Sequence, residues 1–423
     1  MKKFISLLML IGLFPALCLG NEPTILSWTD CLKETVKNNP DLIVAEKSLE
    51  QTRAAKDITA SGLYPQIDAS ASASRTKNKS SNASTIGNSF GYGASARQLI
   101  FDGFKTINNV NAAKQNILAA KQTYRFASVD IRLNLKQAYI NLMRAQEMIK
   151  VDEEIVQIRK GSLDLVTLQY ESGLEHQGAL LTAQASMAQA EASLHAAERD
   201  LELAQRQLNR QIGRKEFTFI AVNANFKLAE PTAQKPDFDA IIKNHPSVLQ
   251  AIARHNAAQY NLKSAYANFL PSISAQADAG KSGAKWTPQN EQLGAGFTVT
   301  MPIFEGGLHK AQTVQASAAL AQAAFQEQIT AEDTLLTMRQ NWNILLNSSE
   351  NVDVQFKSLN AAQERSKIAQ MQYSTGFITY DNWTIIEDNL VQAKNTYLSA
   401  QVNALLAEAN WIHAKGETLE YAN

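Results

Sequence analysis

The feature that most constrains this chain of 423 residues is an internal duplication. The stretch "NNPDL" at 38–42 resembles "NHPSV" at 244–248, and "LYPQIDASAS" at 63–72 resembles "FLPSISAQAD" at 269–278, both after a shift of 206 residues. Farther along, "QYESG" at 169–173 returns as "QYSTG" at 372–376 after a shift of 203 residues. The duplication predicts two copies of one structural unit, with three residues lost from a loop of the second copy.

These repeats suggest how the chain is divided. We expect a first structural repeat at 21–213, a linker at 214–237 and a second structural repeat at 238–423. Residues 1–20 are predicted to be a signal peptide, because Lys2 and Lys3 precede an apolar run that ends in small residues. An uncleaved N-terminal anchor is the alternative, although the apolar run is short for a membrane span. After cleavage Cys31 would be the single cysteine, which excludes an intrachain disulfide.

Each repeat contains two segments that alternate with a period of two, as strands do. We predict strands at about 64–76, 88–101, 270–281 and 291–304. In the first of them Ile67 and Ala69 alternate with Asp68 and Ser70. Segments of this length can cross a bilayer as tilted barrel strands. A soluble hairpin with one buried face is the alternative, and alternation alone does not decide between the two.

Long helices are predicted from a second periodicity. An apolar series with spacings of three and four residues runs from Leu180 to Leu208, and adding 203 gives a second apolar series from Trp383 to Trp411. Four such heptads, present twice, are a specific signal for a coiled coil. The proline-free stretch from Thr106 to Tyr170 would span roughly 100 Å as one helix. No compact domain needs a helix of that length.

Composition and residue spacing exclude several classes of function. The chain carries 40 Lys and Arg against 40 Asp and Glu, so the basic surplus of a nucleic-acid-binding protein is missing. The six histidines are scattered without the spacing of metal ligands, and no catalytic constellation or phosphate-binding loop is present. We therefore expect no enzymatic activity, no metal and no cofactor.

Oligomerisation follows if the strands span a membrane. Four strands cannot close a barrel, and unpaired strand edges are not tolerated in lipid. Two chains would supply 8 strands, whose interior is filled by side chains, whereas three would supply 12 strands and leave a lumen. The coiled-coil helices of three chains would then extend the same cylinder into the periplasm.

The residues described so far resemble a known family. The duplicated layout, the prolines before the strands, "IFDG" and "IFEGG" before long helices, and "QYxxG" at the helical turns are similar to those of TolC-type outer membrane factors, the outer membrane efflux protein family. The resemblance implies a mixed α and β membrane protein: a homotrimer with a 12-stranded transmembrane β-barrel, four strands per chain, continuous with a long α-helical coiled-coil periplasmic tunnel. Its implied location is the outer membrane of a Gram-negative bacterium.

The resemblance also implies a function and partners. Such proteins are the passive exit duct of a tripartite efflux pump or of a type I secretion system. They dock a periplasmic adaptor, which links them to an inner-membrane transporter, either a proton-driven pump or an ATP-driven exporter. The sequence leaves the transported substrate open.

Three sets of site residues are implied by the same resemblance. The turns after "QYxxG" would be the periplasmic tips that meet the adaptor, at Gly173, Leu174, Gly376 and Phe377. Acidic residues after the second tip would form a periplasmic gate, at Asp381, Glu387 and Asp388. The junction between helices and barrel would include Pro65, Pro271, Phe101, Gly103, Phe304 and Gly306.

The gate assignment departs from the family pattern. The usual acidic position, six residues after the second glycine, is Asn382, and Asp381 stands one residue earlier. As an alternative, these acids could simply favour a helix N-terminus or lie on a solvated face. The glycines could likewise serve only to end their helices.

Two other classes of protein are compatible with parts of the pattern. A trimeric adhesin also joins a barrel to a coiled coil, but its strands would follow a passenger at the C-terminus. A soluble periplasmic adaptor would show one helical hairpin flanked by Gly- and Val-rich β domains. This chain has two helical hairpins and interrupts both halves with strands.

Overall fold

The structure, a computed structural model, describes residues 24–80, 83–223, 225–226 and 235–421. The predicted signal peptide at 1–20 lies outside these residues. The first repeat contains β1 (Thr24–Leu26), α1 (Trp28–Asn38), α2 (Pro40–Ser61), β2 (Gln66–Ser80), β3 (Ala83–Phe101), α3 (Lys105–Glu171) and α4 (Gln177–Gln211). The segment predicted as a linker includes β4 (Ile220–Val222), which pairs in parallel with β1.

The second repeat follows the order of the first. It contains α5 (Phe238–Ile242), α6 (Pro246–Ala267), β5 (Ser272–Gly283), β6 (Asn290–Thr300), α7 (Leu308–Ser374) and α8 (Tyr380–Ala414), then a short 3-10 helix (Leu419–Tyr421). Corresponding helices have equal lengths: 22 residues in α2 and α6, 67 in α3 and α7, and 35 in α4 and α8. The duplication therefore preserves the architecture of the unit as well as its motifs.

Four strands form one antiparallel sheet in the order β2-β3-β5-β6. Its register aligns Ala69 with Ala94, Ala94 with Ala279, and Ala279 with Leu293. Since side chains alternate across a strand, this row and those two residues away share one face of the sheet. That face is apolar over its middle, and β2 and β6 form the two edges of the sheet.

The first strand hairpin is longer than predicted, since β2 ends at Ser80 rather than at 76 and β3 begins at Ala83 rather than at 88. β5 lies within two residues of its predicted bounds, and the predicted fourth strand is too long. The expectation of a strand at 291–304 is wrong at its C-terminal end, because β6 stops at Thr300. Pro302 explains the difference, since proline has no N–H to donate to the next position of the ladder. Phe304 therefore lies in an irregular and exposed connection to α7.

The connections between strands and long helices use two successive residues in the left-handed region. Gly103 and Phe104 have φ of 67° and 68°, and Gly306 and Gly307 have φ of 59° and 86°. A Cβ at Gly103 would lie 2.7 Å from the Leu270 Cβ, so glycine is also required there by space. Of the other predicted junction residues, Pro65 precedes β2, Pro271 precedes β5 and Phe101 ends β3.

The long helices differ in how many neighbours they have. Helix α3 packs against α2, α4, α6 and α8, and its buried residues include Leu135, Ile140 and Leu142. Helix α7 packs against α5, α6 and α8, and much of its apolar surface is exposed. Within the described residues no helix is both long and apolar enough to cross a membrane.

Candidate functional site: the two helical tips

Both helical hairpins turn with the same backbone geometry. We call residues 168–185 tip 1 and residues 371–388 tip 2. In tip 1 the N–H of Leu174 donates to the Gln169 carbonyl at 2.9 Å, and the N–H of Gly173 donates to the Tyr170 carbonyl at 3.0 Å. These two bonds define a Schellman motif, which satisfies carbonyls that the ending helix leaves unpaired.

Tip 2 repeats this motif. The N–H of Phe377 donates to the Gln372 carbonyl at 2.8 Å, and that of Gly376 donates to the Tyr373 carbonyl at 3.0 Å. Gly173 and Gly376 have φ of 74° and 76°, and a Cβ at either position would enter open space. Backbone conformation, rather than crowding, therefore requires glycine in both copies of "QYxxG".

Each tip exposes apolar side chains at matching positions. Leu174 is 77% exposed and Phe377 is 82% exposed, and both directly follow the turn glycine. Leu168 and Met371, one turn before the end of their helices, are also exposed. Exposed apolar groups that recur at equivalent positions are typical of a contact surface for another protein. The predicted docking residues thus lie at the end of each hairpin, on its surface.

Tip 2 contains an aromatic cluster that tip 1 lacks. The rings of Tyr373 and Trp383 are stacked at 4.4 Å with an interplanar angle of 18°, and Tyr380 lies 6.1 Å from Tyr373. Trp383 is buried, and its Nε1 has no hydrogen-bond partner among the described residues. The residues at the same positions of tip 1 are Tyr170, Gln177 and Leu180. The two tips therefore differ in packing while sharing a backbone.

Polar contacts join the second hairpin to the first near the tips. The Tyr373 hydroxyl bonds to Glu175 Oε2 at 3.1 Å. Burial, with a further contribution from Glu175, raises the pKa of Tyr373 above its usual value. Higher along the helices, Arg159 pairs with Asp388 at 2.5 Å, and Lys394 pairs with Glu154. These contacts connect α3 and the turn that follows it with α7 and α8.

The three acids predicted to form a gate have different surroundings. Asp381 lies exposed in the first turn of α8. Glu387 is only 4% exposed, and the Ser366 hydroxyl donates to its Oε1 at 2.6 Å. Asp388 is held in the ion pair with Arg159. Glu387 thus faces the inside of the α7–α8 hairpin, which differs from the expectation for an acid that lines a passage.

The sequence placed Trp383 in the second apolar series but gave no prediction of the cluster around it or of the bond between Tyr373 and Glu175. The spacing of Tyr373, Tyr380 and Trp383, seven and then three residues, could have indicated a shared helical face across the turn. Glu175 offered no such signal, because its partner is in the other repeat.

Comparison with known proteins agrees with this architecture. A family profile described as "Outer membrane efflux protein" matches residues 31–214 and 238–417. The outer membrane efflux protein BepC of Brucella suis biovar 1 (strain 1330) is 24% identical over 392 residues, which cover 90% of this chain and 84% of BepC. The outer membrane protein TolC of Escherichia coli (strain K12) is 23% identical over 338 residues, covering 75% of this chain and 68% of TolC.

Solved structures show the same fold. The crystal structure of the Campylobacter jejuni CmeC outer membrane channel superposes with a TM-score of 0.81 at 20% sequence identity, covering 92% of this chain and 85% of CmeC. The family profile spans both repeats and most of the chain. The chain therefore belongs to the outer membrane efflux protein family.

Proposed function

We propose that three copies of this chain form an outer-membrane exit duct, which conducts substrates passively from a periplasmic adaptor and an inner-membrane transporter to the exterior. The duct would serve a tripartite efflux pump or a type I secretion system. The observation that carries the proposal is that the sheet has two unpaired edges, at β2 and β6, and that the corresponding helices, α2 and α7, expose apolar surface. A neighbouring copy of the chain would complete both layers.

The sheet is open at β2 and at β6. A strand edge in lipid must be paired, because no water is available to its N–H and C=O groups. Pairing β6 of one chain with β2 of the next is a head-to-tail contact that closes by rotation. Three chains close a barrel of 12 strands, wide enough for a lumen.

The helical layer also has an unpacked side, at α7, the helix that follows the edge strand β6. Helix α3 is flanked by α2 and by α6, whereas α7 has α6 on one side and an apolar exposed surface that includes Val314, Phe325 and Ile329. Helix α2 also exposes apolar side chains, at Val44 and Ile58. Placing α2 of the next chain against α7 would repeat the packing of α2 on α3 and bury both surfaces.

In this assembly six tips form one ring. We assign adaptor docking to the turns at Gly173, Leu174, Gly376 and Phe377. We assign the gate to Asp381 first, because its carboxylate is exposed beside the second turn. Three such carboxylates in a narrow neck would attract cations, as charged rings do in other channels. Asp388 would join them only if its pair with Arg159 opened.

Assembly can be tested by native mass measurement of the detergent-solubilised protein and by conductance in planar bilayers. We expect a trimer that forms pores. Phe325→Glu should reduce the trimer, because it places a charge in the proposed α7 contact. The equivalent position of the first repeat is Gln122, so Gln122→Glu is the matched control. A monomer without pore activity would contradict the proposal.

A further inference from the structure

Away from the helices, the apolar face gives way to polar or charged side chains on all four strands. The change lies two rows farther along on β2 and β3 than on β5 and β6, because Tyr92 pairs with Lys281. Moving away from the helices, Ala73 is followed on this face by Arg75, and Ala279 by Lys281. On the returning strands Asn88 precedes Phe90, and Glu291 precedes Leu293. Apolar side chains thus give way to polar or charged ones along each strand, apart from Ile86 on β3. A change of this kind is typical of the edge of a bilayer's hydrocarbon region.

Aromatic side chains lie at this boundary. Tyr92 and Phe90 stand on the apolar face opposite Ala71 and Ala73. The ring of Trp286 contacts that of Phe90, with centroids 5.5 Å apart. Tyrosine and tryptophan are enriched where a membrane meets water, since their rings are apolar at one end and polar at the other. The aromatic residues therefore support the position assigned to the edge of the hydrocarbon region.

Beyond the boundary the same face of β2 is basic. Arg75, Lys77 and Lys79 occupy alternate positions and pair across to Asn88, Ile86 and Ser84 of β3. We call these three residues the basic strip. At about 6.8 Å per pair of residues the strip is roughly 13 Å long. All three side chains are exposed, and none forms an ion pair with a described residue.

The strip is also free of nearby acids in the sequence. Between Asp68 and Asp102 the chain contains no Asp or Glu. Lys281 at the boundary differs, because it pairs with Glu291 at 3.2 Å. Three uncompensated cations directly above an apolar and aromatic surface have the arrangement that complements anionic headgroups.

We propose that the basic strip binds the phosphate groups of lipids in the outer leaflet of the outer membrane, of the phosphorylated glycolipid type. The inference rests on the proposed function, since that function directs the helices into the periplasm and the hairpin of β2 and β3 to the exterior. The lipid chains lie against the apolar face while the phosphates meet Arg75, Lys77 and Lys79. Guanidinium and ammonium groups both donate charge-assisted hydrogen bonds to phosphate oxygens.

The test uses the full chain, purified in detergent, with lipid A and with dephosphorylated lipid A as probes. Wild-type protein should bind lipid A more tightly than the dephosphorylated form. The combined variant Arg75→Gln, Lys77→Gln and Lys79→Gln should lose on the order of 100-fold in lipid A affinity at low salt, about fivefold per basic residue. Added salt should reduce the wild-type preference, because the residues are exposed.

A matched control removes three exposed basic residues on the long helices, by Lys121→Gln, Lys160→Gln and Arg365→Gln. It should bind lipid A like the wild type. Equal binding of lipid A and its dephosphorylated form would overturn the proposal. An unchanged lipid A affinity in the strip variant would also overturn it. So would the finding that heparin, a soluble polyanion, displaces lipid A from the wild-type protein as effectively as lipid A itself does.

Assembly and conductance of the same samples separate this inference from the proposed function. If the protein is a pore-forming trimer that binds lipid A and dephosphorylated lipid A equally, only the assignment of the basic strip is overturned. Phosphate-dependent binding by a protein that forms no pore would overturn the proposed function and leave the strip assignment standing.

Discussion

Tip 1 and tip 2 share one backbone conformation but differ in how their side chains pack. Both turn at a glycine with nearly equal φ, and both close with the same pair of hydrogen bonds. Only tip 2 stacks Tyr373 on Trp383. The acids predicted as a gate also have no acidic counterparts in tip 1, where the equivalent positions are Gly178, Gln184 and Ala185. Backbone geometry can therefore be retained through a duplication while the side chains and their packing diverge.

The same contrast extends along the long helices. Helices α3 and α7 have equal lengths, yet α3 is enclosed within the chain and α7 lies at its edge. Equal length therefore does not imply equal burial, which depends on the neighbouring helices. Each of the following experiments compares a residue of the second repeat with its position in the first or with a control residue elsewhere in the chain.

The largest effect is expected from Gly376→Pro. Proline cannot adopt a φ of 76°, and it removes the N–H that bonds to Tyr373. We expect export to be lost while the trimer stays assembled, as judged by cell susceptibility and native mass. Gly173→Pro should have the same result, since the two backbones are equivalent.

Gly161, within α3 and ten residues before its end, provides the control for the tip glycines. Its surroundings are open and it is helical, so Gly161→Ala should stabilise the helix by up to about 1 kcal/mol. Export should be unchanged. Normal export by either tip proline variant would refute the assignment of that turn to docking.

Trp383→Ala tests the aromatic cluster. Removing a fully buried tryptophan should lower the free energy of unfolding of the tip by about 3–5 kcal/mol. Leu180, at the equivalent position of tip 1, is only partly buried, so Leu180→Ala should cost about 1–2 kcal/mol. Amide hydrogen exchange in the first turns of α8 and α4 would measure the two losses. Equal losses would mean that the cluster does not distinguish the tips.

His245→Asn tests a second difference between the repeats, at the start of α6. Asn39 precedes Pro40 in α2, and its amide donates to the Gln211 carbonyl at 2.8 Å. His245 occupies the equivalent position, where burial, then His413 and Arg125, lower its pKa to about 4. The unfolded chain therefore takes up a proton at a higher pH than the folded chain does.

It follows that His245 stabilises the fold fully above pH 6.5, and that this stability is lost as pH falls towards 4. The loss is up to about 3 kcal/mol. His245→Asn should reduce it, whereas His195→Asn on the exposed face of α4 should leave it in place. Thermal unfolding at pH 7 and pH 4 measures the difference. An unchanged pH dependence in His245→Asn would contradict this account.

The smallest effect on stability is expected from Asp381→Ala. The carboxylate is exposed at the start of α8, so its loss should cost at most about 1 kcal/mol. Single-channel conductance, or its block by multivalent cations, should nevertheless change if Asp381 forms the gate. Asn382→Ala, the neighbouring exposed position, is the control. If neither property changes, the gate assignment to Asp381 fails.

Local rules in the sequence were sufficient to predict the repeated elements. Prolines and glycines marked the connections, and the heptads from Leu180 and Trp383 indicated the two hairpins. The glycine of "QYxxG" predicted a left-handed helix end, which both tips have. These features depend on the conformation of a few neighbouring residues or on the spacing of apolar residues along one helix. A short stretch of the sequence therefore contains the necessary information.

Contacts between particular side chains of different helices could not be predicted in the same way. Glu387 follows Ile386 of the apolar series and was expected to form part of the gate, but it faces α7, where its carboxylate is enclosed and bonded to Ser366. Likewise, the bond between Tyr373 and Glu175 joins residues 198 positions apart. Heptad spacing predicts which face of a helix is packed but not which polar side chains meet there.

The equal lengths of corresponding helices have a consequence for how such a protein can change in size. One residue inserted into α3 would lower its tip by about 1.5 Å and rotate everything beyond it by about 100°. Seven inserted residues would restore the face but leave a step of about 10 Å between neighbouring tips. A matching insertion in α4 would keep the first hairpin in register, and matching insertions in α7 and α8 would make the rim level again. The length of the periplasmic part is thus encoded once in each repeat, and it can increase only if the helices of both repeats are lengthened.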